Sequence, residues 1–253
     1  MGKRNRYVWA ALTILVCGPT AVSAQTRSGL TGNLKAIVPE GAGPFPAVLW
    51  VSGCSGFFHP RAPWHYIERS EALIQRGFAV FFVDYVRAHG VETACLGVMS
   101  NSDVATYVAA AVDSVSARAD VKDGSVVLLG ASLGGGGVLE ALVKASADME
   151  AVTASAVVLY PSCGGLQPWQ SRIPVLMLLA GSDQITPPSE CRRVVDRLEG
   201  AASVEVHSYP DAHHGFDVQD LPTELEEGLP ALAFDPEAAA DAWLRILRFI
   251  GPN

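Results

Sequence analysis

A serine stands between an apolar run and a run of glycines in the segment VVLLGASLGGGGVLE, residues 126–140. Gly130, Ser132 and Gly134 form the pattern G-x-S-x-G, which is typical of a nucleophile displayed at a sharp strand-to-helix turn. The helix that follows such a turn directs backbone N–H groups to the place where an oxyanion would form. A glycine-rich phosphate-binding turn is the alternative, but the chain lacks the spacing G-x-G-x-x-G and the Lys-Ser/Thr pair of a P-loop.

A serine hydroxyl needs a base, and the base needs an acidic partner. After this pattern the partners follow in the order carboxylate, then histidine. Asp183 in PVLMLLAGSDQITPP is the next carboxylate at a predicted strand end, with a turn-forming or helix-capping role as its alternative. SYPDAHHGFD then supplies two histidines. We favour His214, because Gly215 lets the loop turn the imidazole towards Ser132, and we expect His213 to pack or face solvent.

Two backbone N–H groups are candidates for binding the oxyanion. One belongs to Leu133, directly after the serine, and the other to Cys54 in the loop SGCSGF that follows AVLWV. Donors of this kind stabilise a transition state by a few kcal/mol each. The remaining histidines are interpreted as surface or packing residues, with the first two as candidates to border the site: His59, His65, His89 and His207.

A set of alternating elements must position these residues. Short, almost continuous apolar runs predict buried strands over 47–53, 78–85, 125–130, 155–161, 174–181 and 203–210, and residues 33–40 predict an antiparallel edge strand. Amphipathic segments predict helices over 62–77, 103–119, 136–147, 189–200 and 235–251. Ser189 and Asp235 are the expected N-caps of the last two helices, and the acidic segment 217–235 is expected to be a surface loop.

Apolar strands that are each followed by a helix predict an α/β fold, with a mostly parallel central sheet and helices on both faces. Sites on such sheets lie at the carboxyl ends of the strands, where Ser132, Asp183 and His214 all fall. No segment marks a separate lid domain.

The first 24 residues have the pattern of a secretory signal peptide, with basic residues before YVWAALTILVCG and a cleavage site at AVSA. We therefore expect residues 25–253 to form a single domain of an exported protein, periplasmic or secreted. A membrane anchor is the alternative, but the apolar run is shorter than the roughly 18 residues that spanning requires. Removal of three of the 18 basic residues leaves 15 against 26 acidic ones, a net charge of −11. A nucleic-acid partner is therefore not expected.

Four cysteines follow the leader: Cys54, Cys95, Cys163 and Cys191. An even number in an exported chain favours two disulfides, for which three pairings exist, and four buried free thiols are the alternative. No C-x-x-C spacing indicates a metal site, and neither a metal nor an organic cofactor is expected. The sequence carries no signal for the oligomeric state.

The segments GASLGG, LAGSDQITP, DAHHGFD and FAVFFVDY resemble the dienelactone hydrolase family of the α/β-hydrolase fold, over roughly residues 33 to 250. The resemblance implies a catalytic Ser132, Asp183 and His214. It also implies strand neighbours that place Cys54 beside Cys95 and Cys163 beside Cys191. Dienelactone hydrolases proper have a cysteine nucleophile and a glutamate in the oxyanion-loop region, where this chain has Ser132 and Gly53.

The same resemblance places Arg87 near a position that binds a substrate carboxylate, with a plain surface role as the alternative. Trp64 is a candidate pocket-lining residue, with core packing or surface anchoring as its alternative. We predict a serine hydrolase that cleaves small carboxylic esters or lactones through an acyl-enzyme. The alternatives are a serine peptidase or acyltransferase on the same fold, or a non-catalytic binding protein that keeps the pocket.

Overall fold

A computed structural model describes residues 34–57, 63–199, 203–225 and 231–251. Within these ranges one seven-stranded sheet forms, and no further domain is inserted into it. Its strands are β1 (Lys35–Ile37), β2 (Phe45–Val51), β3 (Ala79–Val83), β4 (Val121–Ala131), β5 (Thr153–Leu159), β6 (Val175–Ala180) and β7 (Val204–Tyr209). Their order is β1-β3-β2-β4-β5-β6-β7, with β1 antiparallel to β3 and the other pairs parallel. The predicted mostly parallel sheet with an antiparallel edge strand is confirmed.

The helices of the described residues cover both faces of the sheet. They are α1 (Pro63–Gln75), α2 (Tyr85–Ala88), α3 (Asn101–Ser116), α4 (Leu133–Val143), α5 (Ala147–Val152), α6 (Pro188–Val195) and α7 (Pro236–Phe249). Side chains of α1 and α7 pack with Val48 and Trp50 on one face, and those of α3 to α6 pack with Leu49 and Val51 on the other. Because successive strand residues point to opposite faces and both faces are buried, the central strands are almost wholly apolar. Polar residues occur in the edge strand β7 and in the first part of β4.

Two predicted helix starts differ from the structure. Ser189 does not cap α6, because that helix begins at Pro188, and a proline without an N–H suits a first turn. Helix α4 begins at Leu133, three residues before the predicted start, since the turn at Ser132 leads straight into it. Asp235 caps α7 as predicted, and its side chain accepts hydrogen bonds from the backbone of the first turn.

Two disulfides lie at the carboxyl edge of the sheet, one between two loops and one between the loop after β5 and helix α6. They join Cys54 to Cys95 and Cys163 to Cys191, with Cα–Cα distances of 4.8 and 5.0 Å, and these are the pairings that the resemblance implied. The predicted leader at residues 1–24 lies outside the described residues. None of the described helices is long and apolar enough to cross a membrane.

Candidate active site

Ser132 occupies a strained turn between β4 and α4. Its backbone angles are φ 53° and ψ −123°, in a region that residues other than glycine seldom adopt. Hydrogen bonds hold this conformation on both sides of the residue. The Ser132 N–H donates to Leu159 O at 3.0 Å, and Ser132 O accepts from Gly136 N at 2.9 Å and from Ser162 N at 3.0 Å. The strain is therefore maintained by the ends of β5 and α4.

The glycines two residues before and after Ser132 are required by close packing. A β-carbon at Gly130 would lie 2.8 Å from Gly134 O, and one at Gly134 would collide with Ser52 O. Real β-carbons essentially never approach other atoms within 3.0 Å. The elbow therefore brings β4, α4 and the loop after β2 closer together than any larger residue permits.

The rest of the glycine run serves the contact between α4 and α3. A β-carbon at Gly136 would collide with the Asn101 side chain, and one at Gly137 would collide with the Val104 side chain. Both partners lie on α3, so this helix packs directly against the backbone of the helix that follows the serine.

His214 joins the serine to a carboxylate. Its Nε2 lies 2.9 Å from Ser132 Oγ, and its Nδ1 lies 2.7 Å from Asp183 Oδ2. All three residues are buried, with exposures of 5–9%. The neighbouring His213 instead places its Nδ1 3.2 Å from Ser182 O. Of the two histidines, the one favoured from the sequence is thus the one that contacts the serine.

Four hydrogen bonds surround the Asp183 carboxylate. Oδ1 accepts from the backbone N–H groups of Ile185 and Thr186 at 2.8 and 2.9 Å, and Oδ2 accepts from Thr186 Oγ1 at 2.9 Å as well as from His214. Burial would raise the pKa of Asp183, but the interactions with His214 and Thr186 outweigh it and leave the pKa below its usual value. The carboxylate is therefore ionised at neutral pH. Sequence reasoning missed Thr186, because the turn signal here is Asp183 itself, whose side chain accepts from the backbone two residues on, and nothing local marks the threonine.

The two candidate oxyanion donors lie beside the serine. A β-carbon at Gly53 would be 3.6 Å from Ser132 Cβ, so the loop that carries Cys54 adjoins the elbow. Leu133 is the first residue of α4, where a backbone N–H has no acceptor within the helix. The Cys54 carbonyl accepts from Ala94 N at 2.8 Å. That bond and the disulfide from Cys54 to Cys95 both tie the loop to the same segment of the chain, residues 94–95.

No contact among the described side chains links the two weaker substrate candidates, Arg87 and Trp64, to the serine and its two partners. Arg87 lies exposed on α2, and its backbone N–H donates to Asp84 Oδ1 at 3.2 Å. Trp64 lies in the first turn of α1, and its side chain is outside the described part of the chain. Among the described residues no three His, Cys, Asp or Glu side chains gather as a metal site.

The expectation that residues 217–235 form only a surface loop is wrong at its first residue. Asp217 is buried, its Oδ2 lies 3.2 Å from the buried His65 Nε2, and its Oδ1 accepts from Tyr160 Oη at 2.6 Å. These partners are distant in the sequence, so local composition indicated an exposed carboxylate.

The fold and this arrangement define an α/β-hydrolase. The family model of the dienelactone hydrolase family matches residues 35–253, and the chain belongs to that family. It is accordingly a carboxylic ester hydrolase of the dienelactone hydrolase type. No curated protein sequence matches the chain.

Several solved structures share the fold. One is described as a candidate dienelactone hydrolase from Klebsiella pneumoniae, with 20% identity, a TM-score of 0.64 and coverage of 85% of this chain and 90% of that one. The dienelactone hydrolase-like promiscuous phosphotriesterase P91 from metagenomic libraries has 22% identity, a TM-score of 0.63 and coverages of 83% and 87%. Esterase 2 of Thermogutta terrifontis has 16% identity, a TM-score of 0.61 and coverages of 86% and 88%.

Proposed function

We propose that this hydrolase cleaves small carboxylic esters or lactones with Ser132 as nucleophile, His214 as general base and Asp183 as the residue that orients the base. The observation that supports this most directly is the unbroken line of contacts from Ser132 Oγ through the two imidazole nitrogens to Asp183 Oδ2. Because the ionised carboxylate can only accept, His214 Nδ1 carries the proton. Nε2 is therefore free to take the proton of the serine hydroxyl.

Acylation begins when Ser132 Oγ attacks the ester carbonyl carbon and its proton moves to His214 Nε2. The carbonyl oxygen becomes an oxyanion that the N–H groups of Leu133 and Cys54 stabilise. Collapse of this intermediate breaks the bond to the leaving oxygen, which takes the proton from His214. The products of this half-reaction are a free alcohol and an acyl-Ser132 ester. For a lactone, the alcohol remains part of the acyl group.

Deacylation repeats these steps with water. His214 Nε2 removes a proton from water, the hydroxide adds to the acyl carbon, and the same two N–H groups stabilise the second oxyanion. When the bond to Ser132 Oγ breaks, His214 returns the proton to the serine and a carboxylic acid leaves. Asp183 stabilises the imidazolium that exists in both halves, and the line of contacts to Ser132 is then restored.

Labelling with a fluorophosphonate, together with hydrolysis of p-nitrophenyl acetate, tests this assignment. A fluorophosphonate phosphonylates an activated serine, and the fold relative esterase 2 of Thermogutta terrifontis is phosphonylated by cyclosarin. We expect Ser132→Ala and His214→Ala to abolish labelling and to lower kcat by about 10⁴-fold or more. His213→Ala is the matched control and should keep both activities, because its ring contacts Ser182 O instead of the serine hydroxyl.

The same variants separate the alternatives. A binding protein would show no labelling of the wild type. A serine peptidase would be labelled but would cleave amide reporters better than p-nitrophenyl esters, and an acyltransferase would pass the acyl group to an added alcohol faster than to water. Ester panels with and without a second carboxylate, measured on Arg87→Ala, test its predicted role. Loss of preference for the carboxylate-bearing esters would support it.

We also propose that the chain is exported, with residues 1–24 as a cleaved signal peptide and residues 25–253 as the mature domain. The leader pattern and the two disulfides support this proposal. Mass spectrometry of the protein recovered outside the cytoplasm should find an N-terminus at Gln25 and no free thiol. An intact N-terminus at Met1 in the same fraction would contradict it.

A further inference from the structure

A second carboxylate–histidine pair lies buried next to the proposed triad and is not used by its chemistry. Asp217, three residues after His214, is 8% exposed. Its Oδ1 accepts from Tyr160 Oη at 2.6 Å, and its Oδ2 lies 3.2 Å from His65 Nε2. The pair and the tyrosine connect the loop after β7, the end of β5 and helix α1.

The donor and acceptor roles in this cluster are fixed. Burial would raise the pKa of Asp217, but interactions with His65, Tyr160 and the half-buried Arg69 outweigh it, and the pKa lies below its usual value. Burial and the neighbouring Asp217 raise the pKa of Tyr160 well above its usual value. Asp217 is therefore an ionised acceptor, and Tyr160 always donates its hydroxyl proton to it.

Tyr160 contacts His214 directly and is connected to Asp183 through Thr186. Its ring packs against the His214 imidazole with 4.7 Å between centroids. Its carbonyl oxygen lies 3.0 Å from Thr186 Oγ1, the hydroxyl that donates its one proton to Asp183 Oδ2 at 2.9 Å. Tyr160 has a φ of 34°, a left-handed conformation that a tyrosine adopts only when its neighbours impose it.

We propose that Asp217 is a positioning residue that fixes Tyr160 and, through the Tyr160 ring, the imidazole of His214. His65 anchors the other oxygen of the carboxylate to α1. The proposal rests on the proposed role of His214 as the base. Without this anchor, the ring and the loop from His214 to Asp217 can shift, and the 2.9 Å contact with Ser132 Oγ is no longer held. A displacement of about 1 Å can slow an enzyme about 100-fold, so kcat falls while KM stays.

The test compares two buried tyrosines that have the same bonding pattern. Tyr160→Phe removes only the hydroxyl that binds Asp217. Tyr209→Phe is the matched control, because its hydroxyl also donates to a carboxylate, Asp241 Oδ2 at 2.9 Å, and its ring also packs on Phe216. With p-nitrophenyl acetate, we expect Tyr160→Phe to lower kcat about tenfold or more with KM within about twofold, and Tyr209→Phe to change neither.

Substitutions of the carboxylate add a graded series. Asp217→Ala should lose at least as much kcat as Tyr160→Phe, and Asp217→Asn should recover part of the loss because its amide oxygen still accepts from the tyrosine. Thermal unfolding and circular dichroism identify variants that fail to fold. If Asp217→Ala is one of them, Tyr160→Phe carries the test.

A spectroscopic signature distinguishes positioning from general destabilisation. The proton in the 2.7 Å bond between His214 Nδ1 and Asp183 should give a far-downfield proton resonance that His214→Ala abolishes. We expect this resonance to shift or broaden in Tyr160→Phe and to stay in place in Tyr209→Phe. An unmoved resonance with unchanged kcat in Tyr160→Phe would overturn the proposal, as would equal losses in both tyrosine variants. Full activity of Ser132→Ala would instead overturn the triad itself.

Discussion

Replacing Asp183 with asparagine tests the hydrogen-bond logic of the site more sharply than deleting the side chain. Oδ1 of Asp183 accepts two backbone N–H groups, those of Ile185 and Thr186. An asparagine must keep its oxygen there, because an amide NH₂ would face two donors. Its NH₂ group then replaces Oδ2 and donates to His214 Nδ1.

This forced orientation changes the tautomer of the imidazole. With Nδ1 as an acceptor, the proton of neutral His214 moves to Nε2, which then cannot take the proton of Ser132. We expect kcat for p-nitrophenyl acetate to fall about 10⁴-fold, which corresponds to about 5.4 kcal/mol in the activation free energy. The fold should be retained, because the two backbone bonds and the size of the side chain remain.

Two measurements check this prediction. Nitrogen NMR of ¹⁵N-labelled histidine reports the tautomer, and steady-state hydrolysis of p-nitrophenyl acetate reports kcat. Asp241→Asn is the control: its carboxylate, on α7, accepts from Tyr209 and Arg245. A loss of less than about tenfold in Asp183→Asn, or a proton that stays on Nδ1, would refute the reasoning.

Three further predictions follow from the cross-link, the buried carboxylates and the elbow. Removing the Cys54–Cys95 disulfide by alanine substitution should lower the unfolding free energy by about 4 kcal/mol for its separation of 41 residues, and should lower kcat about tenfold by loosening the oxyanion loop. The pKa values of Asp183 and Asp217 are lower in the folded protein than in the unfolded chain. The unfolding free energy measured in urea should therefore be highest above about pH 4 and fall at lower pH, and Asp217→Asn should make this fall smaller. Gly134→Ala should lower the unfolding free energy by about 3 kcal/mol or more and abolish fluorophosphonate labelling.

Each of these has a control within the chain. Removing Cys163–Cys191, with a separation of 28 residues, should cost nearly the same stability but leave kcat within about threefold; equal kcat losses would contradict the role given to the first disulfide. Asp123→Asn, at an exposed position, should leave the acid decline unchanged. Gly53→Ala, whose nearest contact would be an ordinary 3.6 Å, should fold normally.

The sheet and the contact between Ser132, His214 and Asp183 could both be predicted from the sequence. Strands buried on both faces leave an apolar signal, as in Leu49 and its neighbours, and the elbow pattern fixes where the carboxyl edge lies. The start of β4 at Val121 was not predicted, because the residues that follow Val121 are polar. The start of α6 was predicted wrongly because Pro188 and Ser189 both suit a first turn. The backbone conformation, which the sequence does not show, places Pro188 first.

The Tyr160–Asp217–His65 cluster could not be predicted from the sequence. Its members lie 57 residues apart for Tyr160 and Asp217, and further apart for His65. An aspartate in an acidic stretch has the same local signal whether it faces water or a buried phenol. Only the return of the loop after β7 to the end of β5 distinguishes these cases, and that is a property of the tertiary fold.

From the four consecutive glycines at the start of α4 we expect the display of Ser132 to be a late event in folding. Glycine is less favourable in a helix than alanine by about 1 kcal/mol per residue. The segment Gly134–Gly137 therefore has little tendency to form a helix by itself. Its first turn becomes stable when α3 and the loop after β2 close on it. We therefore expect hydrolytic activity to return during refolding only when α3 docks on α4. In a domain that lacks this contact, Ser132 is present but is not held in its active conformation.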